Sequence, residues 1–228
     1  MTLIYKGKTK DVYENPNGSY TLQLKDSATG KDGVFDPGEN AVGLNIDGLG
    51  QESLRLSKYF FEKISQAGIP NHYIGCDISA ATMNVKPAKH FGSGIEFICR
   101  LRSDGSFVRR YGAYTQKGDK LDYFVEVTIK DDDRKDPPIN KDALIMLNIM
   151  TMDEYETCVA LTKKTTKLIT DDLMAKGLCL YDIKYEFAKS NGEIILIDEF
   201  SAGIMRVYKN GVSVPPMDLA KIILKGDK

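Results

Sequence analysis

Strands and helices in mixed order are what this 228-residue chain predicts, and two stretches carry that reading. In residues 177–208 two alternating runs flank the polar turn Lys189-Ser190-Asn191-Gly192, a strong hairpin signal. Just before it, residues 151–176 keep a helical stripe of Tyr155, Cys158, Leu161/Thr162, Thr165, Leu168/Ile169 and Leu173. Thr151 and Glu154 open that helix as a capping box, and Gly177 stops it. With 42% hydrophobic residues the chain can build a sizeable core, as one large domain or two lobes.

The remaining elements follow in order. Residues 3–25 alternate as strands around the turn Asn15-Pro16-Asn17-Gly18, with Gly7 among Lys6, Lys8 and Lys10 inside the first strand. A glycine there permits close backbone approach to phosphates. The run is neither a Walker motif nor a kinase glycine-rich loop, so taken alone it reads more simply as a surface hairpin. Glycines at 30, 33, 38, 43, 48 and 50 break up residues 26–50, which read as a shaped, functional loop. Residues 53–66 form a helix with Leu56, Phe60 and Ile64 on one stripe, ended by Gly68 and Pro70. Short strands are expected after residues 71–75 and at 81–87. A third, at 95–101, places Glu96, Ile98 and Arg100 on one face. His72 and His90 are isolated and read as surface or loop residues. A short helix at 107–112, a strand at 121–130, an acidic proline-containing loop at 131–140 and a short helix at 142–150 lead to the capped helix. After Tyr208 come a turn at Lys209-Asn210-Gly211, a strand at 212–214 and a last helix at 217–225.

Composition narrows the classes. The 31 basic and 32 acidic residues leave a net charge of -1, which argues against a nucleic-acid footprint. No apolar run of about 20 residues exists, and the start does not read as a signal peptide. The cysteines at 76, 99, 158 and 179 show neither metal spacing nor a disulfide framework. Together these predict a soluble cytoplasmic protein.

The chemistry concentrates on the first strand of the 177–208 hairpin. Alternation puts Leu178, Leu180, Asp182, Lys184 and Glu186 on one face and Cys179, Tyr181, Ile183, Tyr185 and Phe187 on the other. The apolar face packs a core. The returning strand ends in Asp198-Glu199, and the turn register decides which acid joins the charged face. A two-residue Asn-Gly turn sets Glu199 across from Lys184, whereas a longer loop or a bulge sets Asp198 there. Carboxylates gathered so closely suit a hard cation such as Mg2+, the plainer alternative being a solvated face with ordinary salt bridges. With Arg100 and Arg206 added, the set suits phosphoryl transfer without a side-chain nucleophile. A second constellation, residues 100–106, offers guanidinium groups beside a Gly-Ser turn for a phosphate or carboxylate. Kinases and ATP-dependent ligases remain indistinguishable on these residues alone.

Several segments, in order, resemble the SAICAR synthetase family. YKGKTKDVY is similar to the family's YxGKxKxxY hairpin, DSATGKDG more loosely to its DxxSAGDG loop, and EFICRLRSDGSFVRRYG to its VExVVRNxAAGSxxxRxG segment. Asp136-Pro137 followed by Asn140 matches DPxxN, and GLCLYDIKYEF with GEIILIDEFS and Arg206 resembles GLxLVDFKLEF…GxIxLxDExSPDxxR. These pieces cover most of residues 5–208.

The resemblance implies an α+β, two-lobed fold: a β-rich N-terminal lobe (residues 1–90) with the glycine hairpin, and a larger ATP-grasp-like lobe (91–228) holding substrate and metal, with ATP between them. It implies an ATP-dependent ligase of purine biosynthesis joining 5-amino-1-(5-phosphoribosyl)imidazole-4-carboxylate to L-aspartate through an acyl phosphate, in a homodimer. By matching position, Lys8 and Lys10 approach the ATP phosphates, and Lys86 and Glu96 lie near the nucleotide. Arg100 and Ser106 contact the ribonucleotide, most naturally its phosphate, with Arg206 assisting. Lys184 meets phosphate or the reacting carboxylate, while Glu186 and Asp198 hold Mg2+, which favours the longer-loop or bulged register. The chain also departs from the pattern: SPD is Ser201-Ala202-Gly203, AAGS falls in Arg102-Ser103-Asp104-Gly105-Ser106, and the segment after Arg206 is short. A related amide ligase with another carboxylate or amine, and a phosphotransferase or nucleotide-binding protein, stay open as alternatives.

Overall fold

Strand β1 (Thr2–Lys6) and strand β2 (Lys10–Glu14) pair antiparallel across Gly7-Lys8-Thr9 in the computed structural model, which describes residues 1–39 and 41–225. The glycine–lysine run therefore sits in a hairpin connection, not within a strand as its sequence suggests. The reason is a tight backbone contact: Gly7 N donates to Lys10 O at 2.9 Å, and a Cβ on Gly7 would lie only 2.6 Å from that oxygen. Strand β3 (Tyr20–Leu24) follows the expected turn and pairs with β2.

Residues 26–50 hold more regular structure than a loop. Strands β4 (Ser27–Lys31), β5 (Val34–Phe35) and β6 (Val42–Asn45) form a small sheet in the order β5-β4-β6. Two of the glycines that read as breakers serve instead as points of close approach. A Cβ on Gly43 would meet Gly30 backbone atoms at 2.5 Å, and one on Gly30 would meet Val34 O at 2.2 Å. Helix α1 (Leu49–Gln66) begins earlier than its stripe alone indicates. Its N-cap, Gly48, offers no side chain; the Asp26 carboxylate accepts from Gly48 N at 3.1 Å and Gly50 N at 2.9 Å instead.

Strands β7 (Tyr73–Asp77) and β8 (Thr82–Val85) complete a sheet in the order β1-β2-β3-β8-β7. His72 is buried, not on the surface: its ring lies 5.4 Å from that of Phe61, and its carbonyl accepts from Lys86 N at 2.8 Å. His90 is exposed as expected. Phe200 packs on Phe60 and Phe61, and Ser57 Oγ bonds both its N–H and its carbonyl. The C-terminal helix Pro216–Ile223 buries Leu219, Ala220 and Ile223 and packs on α1.

These elements form one compact unit, Met1–Ala88 with Glu199–Ile204 and Val214–Lys228; a second comprises Lys89–Asp198 and Met205–Ser213. The second unit contains β9 (Lys89–His90), β10 (Ile95–Arg102), helix α2 (Gly105–Tyr111), β11 (Lys120–Ile129), helix α3 (Lys141–Met146) and helix α4 (Met152–Ala175). It continues with β12 (Cys179–Ser190), β13 (Glu193–Ile197), β14 (Met205–Lys209) and β15 (Val212–Ser213). Its antiparallel sheet runs β11-β10-β12-β14-β15, with β13 and β9 also on β12.

Helix α4 carries the expected Thr151/Glu154 capping box. It packs on the apolar face of that sheet, where Phe97, Cys99, Ile183, Tyr185 and Phe187 are buried. Thr166 Oγ1 and Tyr185 Oη lie 3.0 Å apart at this interface. Burial pushes the Cys99 thiol up to about 11 and the Cys158 thiol to about 12, so neither is a ready nucleophile. All four cysteines are free. Among the described residues no helix is long and apolar enough to cross a membrane.

The β12–β13 turn corrects one expectation. Ser190 pairs with Glu193 and Glu186 with Ile197, which is the simple two-residue register and not a longer loop or bulge. Asn191 (φ 51) and Gly192 (φ 82) both adopt the left-handed conformation that a type I′ turn demands. Asp198 lies just past the strand with φ 75, so strand alternation no longer sets its direction.

Candidate active site

One face of the second unit's sheet carries the charged residues, and strand register decides which of them meet. Arg100 on β10 stands opposite Asp182 on β12, and Asp182 stands opposite Arg206 on β14. Arg100 Nη1 donates to Asp182 Oδ2 at 3.0 Å, while Arg206 Nη1 reaches Oδ1 at 3.1 Å and Oδ2 at 3.0 Å. Arg100 Nη2 donates to Ser106 Oγ at 2.9 Å and to Glu126 Oε1 at 3.0 Å; Arg110 pairs with the other oxygen of Glu126. Burial pushes the Asp182 carboxyl up, against the pull of Arg206 and Arg100.

Arg100 is only 1% exposed, and its Nε is buried with no hydrogen-bond partner. A guanidinium so deeply buried calls for matched acceptors, and an orphaned N–H suits an anionic oxygen. Ser106 reaches this cluster because α2 starts beside it: Asp104 caps the helix, Oδ1 accepting from Gly105 N at 2.8 Å. Gly105 has φ 51, and a Cβ there would lie 2.6 Å from Arg206 Nη2. Position 105 must be glycine for Arg206 to lie where it does.

The other end of the same face is built from lysines and glutamates. Glu96 stands opposite Glu186 on the neighbouring strand, an arrangement that repels unless cations share it. Lys184 Nζ donates to Glu96 Oε1 at 2.7 Å, Lys130 Nζ to Glu186 Oε1 at 2.5 Å, and Thr128 Oγ1 to Glu96 Oε2 at 2.9 Å. Burial opposes the charge on Lys184, but Glu96 and Glu186 outweigh it and raise its pKa above the ordinary lysine value. Its ammonium is a fixed positive charge at neutral pH, not a proton shuttle. The face is far less open than the sequence implies: Glu96 and Asp182 are each 3% exposed and Glu186 4%.

Arg100, Ser106 and Arg206 are thus gathered in one cluster, and Lys184, Glu96 and Glu186 in a second. Asp198 follows β13 and is half-buried. Lys8, Lys10 and Lys86 belong to the first unit. Lys8 is exposed in the hairpin connection, and its carbonyl accepts from Ser27 Oγ at 2.6 Å. Lys10 pairs with Glu199, and Lys86 Nζ donates to Asn71 O at 3.0 Å. Glu126, Thr128 and Lys130 were not singled out as site residues from the sequence. The signal was present: Glu126 and Thr128 alternate with Val125, Val127 and Ile129 on β11. Among the described residues no group of three or more His, Cys, Asp or Glu side chains is arranged to hold a metal.

Comparison with known proteins identifies the family. The sequence model of the SAICAR synthetase family matches residues 3–220. A phosphoribosylaminoimidazole-succinocarboxamide synthase of Clostridium tetani is 53% identical over 227 residues, 99% of this chain and 100% of the relative. The synthase of Thermotoga maritima is 34% identical, covering 91% of this chain and 85% of its own. A solved SAICAR synthetase in complex with ADP superposes with a TM-score of 0.81 at 28% identity, over 98% of this chain and 90% of that one. The α+β fold is that of these structures, and the chain belongs to the SAICAR synthetase family.

Proposed function

We propose that the chain catalyses ATP-dependent ligation of 5-amino-1-(5-phosphoribosyl)imidazole-4-carboxylate to L-aspartate, giving SAICAR, ADP and phosphate in purine biosynthesis. The observation that carries this reading is the sheet face on which buried Arg100 and half-buried Arg206 flank Asp182, next to the Glu96-bonded ammonium of Lys184. The full-length match to a relative named for this synthesis supports it.

The first unit serves the nucleotide, with Lys8 and Lys10 directed to ATP phosphates and Lys86 to the nucleotide. In the second unit Arg100, Ser106 and Arg206 take the ribonucleotide phosphate. The planar donors of the two guanidiniums suit it, and the free Nε of Arg100 adds one donor more. Lys184 stabilises charge on the phosphoryl oxygens or on the carboxylate being phosphorylated, and the amine of aspartate then displaces phosphate from the acyl phosphate. Glu96 acts on the nucleotide through Lys184, which it holds.

Glu186 and Asp198 are the residues we assign to Mg2+. Two hard carboxylates fit this ion, which takes one or two such ligands together with substrate phosphates and waters and needs no three-acid cage. When bound, Mg2+ neutralises charge on the phosphates. A cytoplasmic homodimer working on small molecules, away from nucleic acid and membrane, is the setting we propose. The near-even charge balance supports the exclusion of nucleic acid.

The test is ADP release with ATP, Mg2+ and the carboxylated ribonucleotide, with and without L-aspartate, followed by the product mass. Aspartate-dependent ADP and the succinocarboxamide mass are expected, even though Gly203 stands where the family has an acid. ADP without that mass would transfer the reading to another amine or carboxylate. In the same assay Lys184→Ala and Asp198→Asn should each lower kcat by about a hundredfold or more, the range for losing one preorganised charge-stabilising group. Near-normal rates in either variant would refute the assigned phosphate and metal site.

A further inference from the structure

Tyr208 follows Arg206 by two residues on β14 and so projects to the same face of the sheet. Its hydroxyl donates to Asp104 Oδ2 at 2.6 Å, and both side chains are buried. The other oxygen of Asp104 caps α2 through Gly105 N, one residue before Ser106. The Tyr208 ring stacks on Tyr181, with centroids 3.9 Å apart and planes 25° apart, which fixes the direction of the hydroxyl. Lys117 Nζ lies 3.6 Å from Asp104 Oδ2 and 5.2 Å from the Tyr208 ring centroid, but its side chain is mostly exposed and contributes less.

One carboxylate thus joins two elements: the strand that carries Arg206 and the helix that carries Ser106. No catalytic step requires Asp104 or Tyr208, yet a buried, doubly used carboxylate is costly to keep unless its geometry matters. Burial, and then the bond to Asp104, raise the Tyr208 hydroxyl above its ordinary value, so it remains a donor throughout the neutral range.

We infer that Asp104 and Tyr208 form a clip that positions Ser106 and Arg206 for the ribonucleotide phosphate. This rests on the functional reading above. Both are positioning residues: they act through Ser106 and Arg206, and on one substrate only. The clip should therefore set affinity for the ribonucleotide and leave ATP alone.

The experiment compares Tyr208→Phe, Asp104→Ala, Asp104→Asn and the Tyr208→Phe/Asp104→Ala double variant, measuring KM for each substrate, kcat and the urea midpoint. Tyr208→Phe keeps the ring stack and removes only the donor. It should raise KM for the ribonucleotide about tenfold, with KM for ATP within about twofold. Asp104→Ala should raise it at least as much. Asp104→Asn keeps its oxygen for the α2 cap and turns its amide N–H toward Tyr208 Oη, which accepts instead of donating, so the link persists and most of the loss should be recovered. The double variant should be no worse than Asp104→Ala, because both residues serve one link.

A KM for ATP that rises in step, a double variant whose effects multiply, or a lowered urea midpoint with unchanged ribonucleotide KM would each overturn the clip alone. Failure of the wild-type protein to form the succinocarboxamide would overturn the functional reading and the clip with it.

Discussion

The two ends of the charged sheet face use the same strands and opposite strategies. At one end Arg100, Asp182 and Arg206 form a row across three strands, with donors in fixed planes, Arg100 and Asp182 almost out of reach of water and Arg206 13% exposed. At the other, Lys184 and Lys130 reach Glu96 and Glu186 on flexible stems, their side chains 30% and 42% exposed. Guanidinium donors are rigid and always charged, whereas an ammonium is a mobile point charge that can follow a moving group. On the function proposed above, the arginine end suits holding a substrate group still, and the lysine end suits following charge as it shifts from phosphate to carboxylate.

If that contrast is right, removing the hub carboxylate should cost more than removing a lysine. Asp182→Ala leaves two guanidiniums without the acid they share, and breaking a buried pair in this way costs about 3–5 kcal/mol. Lys184→Met leaves Glu96 buried but still bonded to Thr128, so a smaller loss of about 1–3 kcal/mol is expected. Urea unfolding of both variants measures the difference. Equal losses would mean that the two ends do not differ in the way their burial suggests.

Much of this face was legible in the sequence because period-2 alternation is a property of the backbone alone. Asp182, Lys184 and Glu186 on β12, and Glu96 and Arg100 on β10, fall on one face whatever the rest of the chain does. The partners were not legible. That Arg100 meets Asp182 and Asp182 meets Arg206 depends on register between strands distant in sequence. The same limit produced the error at the β12–β13 turn: the position assigned to Asp198 was taken to require a longer loop or a bulge, but the turn keeps the two-residue register and Asp198 falls past the end of the strand in the left-handed conformation. In the first unit the α4-like signals are missing. The cap of α1 comes from Asp26, far upstream, and Gly30 and Gly43 look like breakers until the strands they bring together are known.

Gly105 offers an intermediate test confined to the arginine end. An alanine there meets two penalties: φ 51, and an Arg206 guanidinium 2.6 Å from the new Cβ. Gly177, at φ 70 with nothing within 4 Å, carries only the first. Gly177→Ala should cost about 1 kcal/mol, within the range for a non-glycine residue held in the left-handed region. Gly105→Ala should cost more in the same urea titration. It should also raise KM for the ribonucleotide, which Gly177→Ala should leave alone. Identical behaviour of the two variants would show that the place of Arg206 does not depend on the missing Cβ.

The smallest effect belongs to pH, and its sign separates the two forces on Lys184. Burial pulls its pKa down, the facing Glu96 and Glu186 pull it up, and the carboxylates prevail, so the folded-state value lies above the ordinary 10.5. A raised folded pKa means that the stabilisation from its charge is complete below the unfolded value and is lost as pH rises through the folded one. The stability difference between wild type and Lys184→Met should therefore be flat from about pH 7 to 10 and shrink only above about 10.5. Tyrosines titrate in the same alkaline range in both proteins, so taking the difference largely removes their contribution. A difference that instead moves in favour of wild type as pH rises between about pH 7 and 9 would mean that burial outweighs the carboxylates and holds the folded value below the unfolded one. Lys184 would then be a candidate proton acceptor for the aspartate amine, and the lysine end would be doing acid–base chemistry instead of carrying fixed charge.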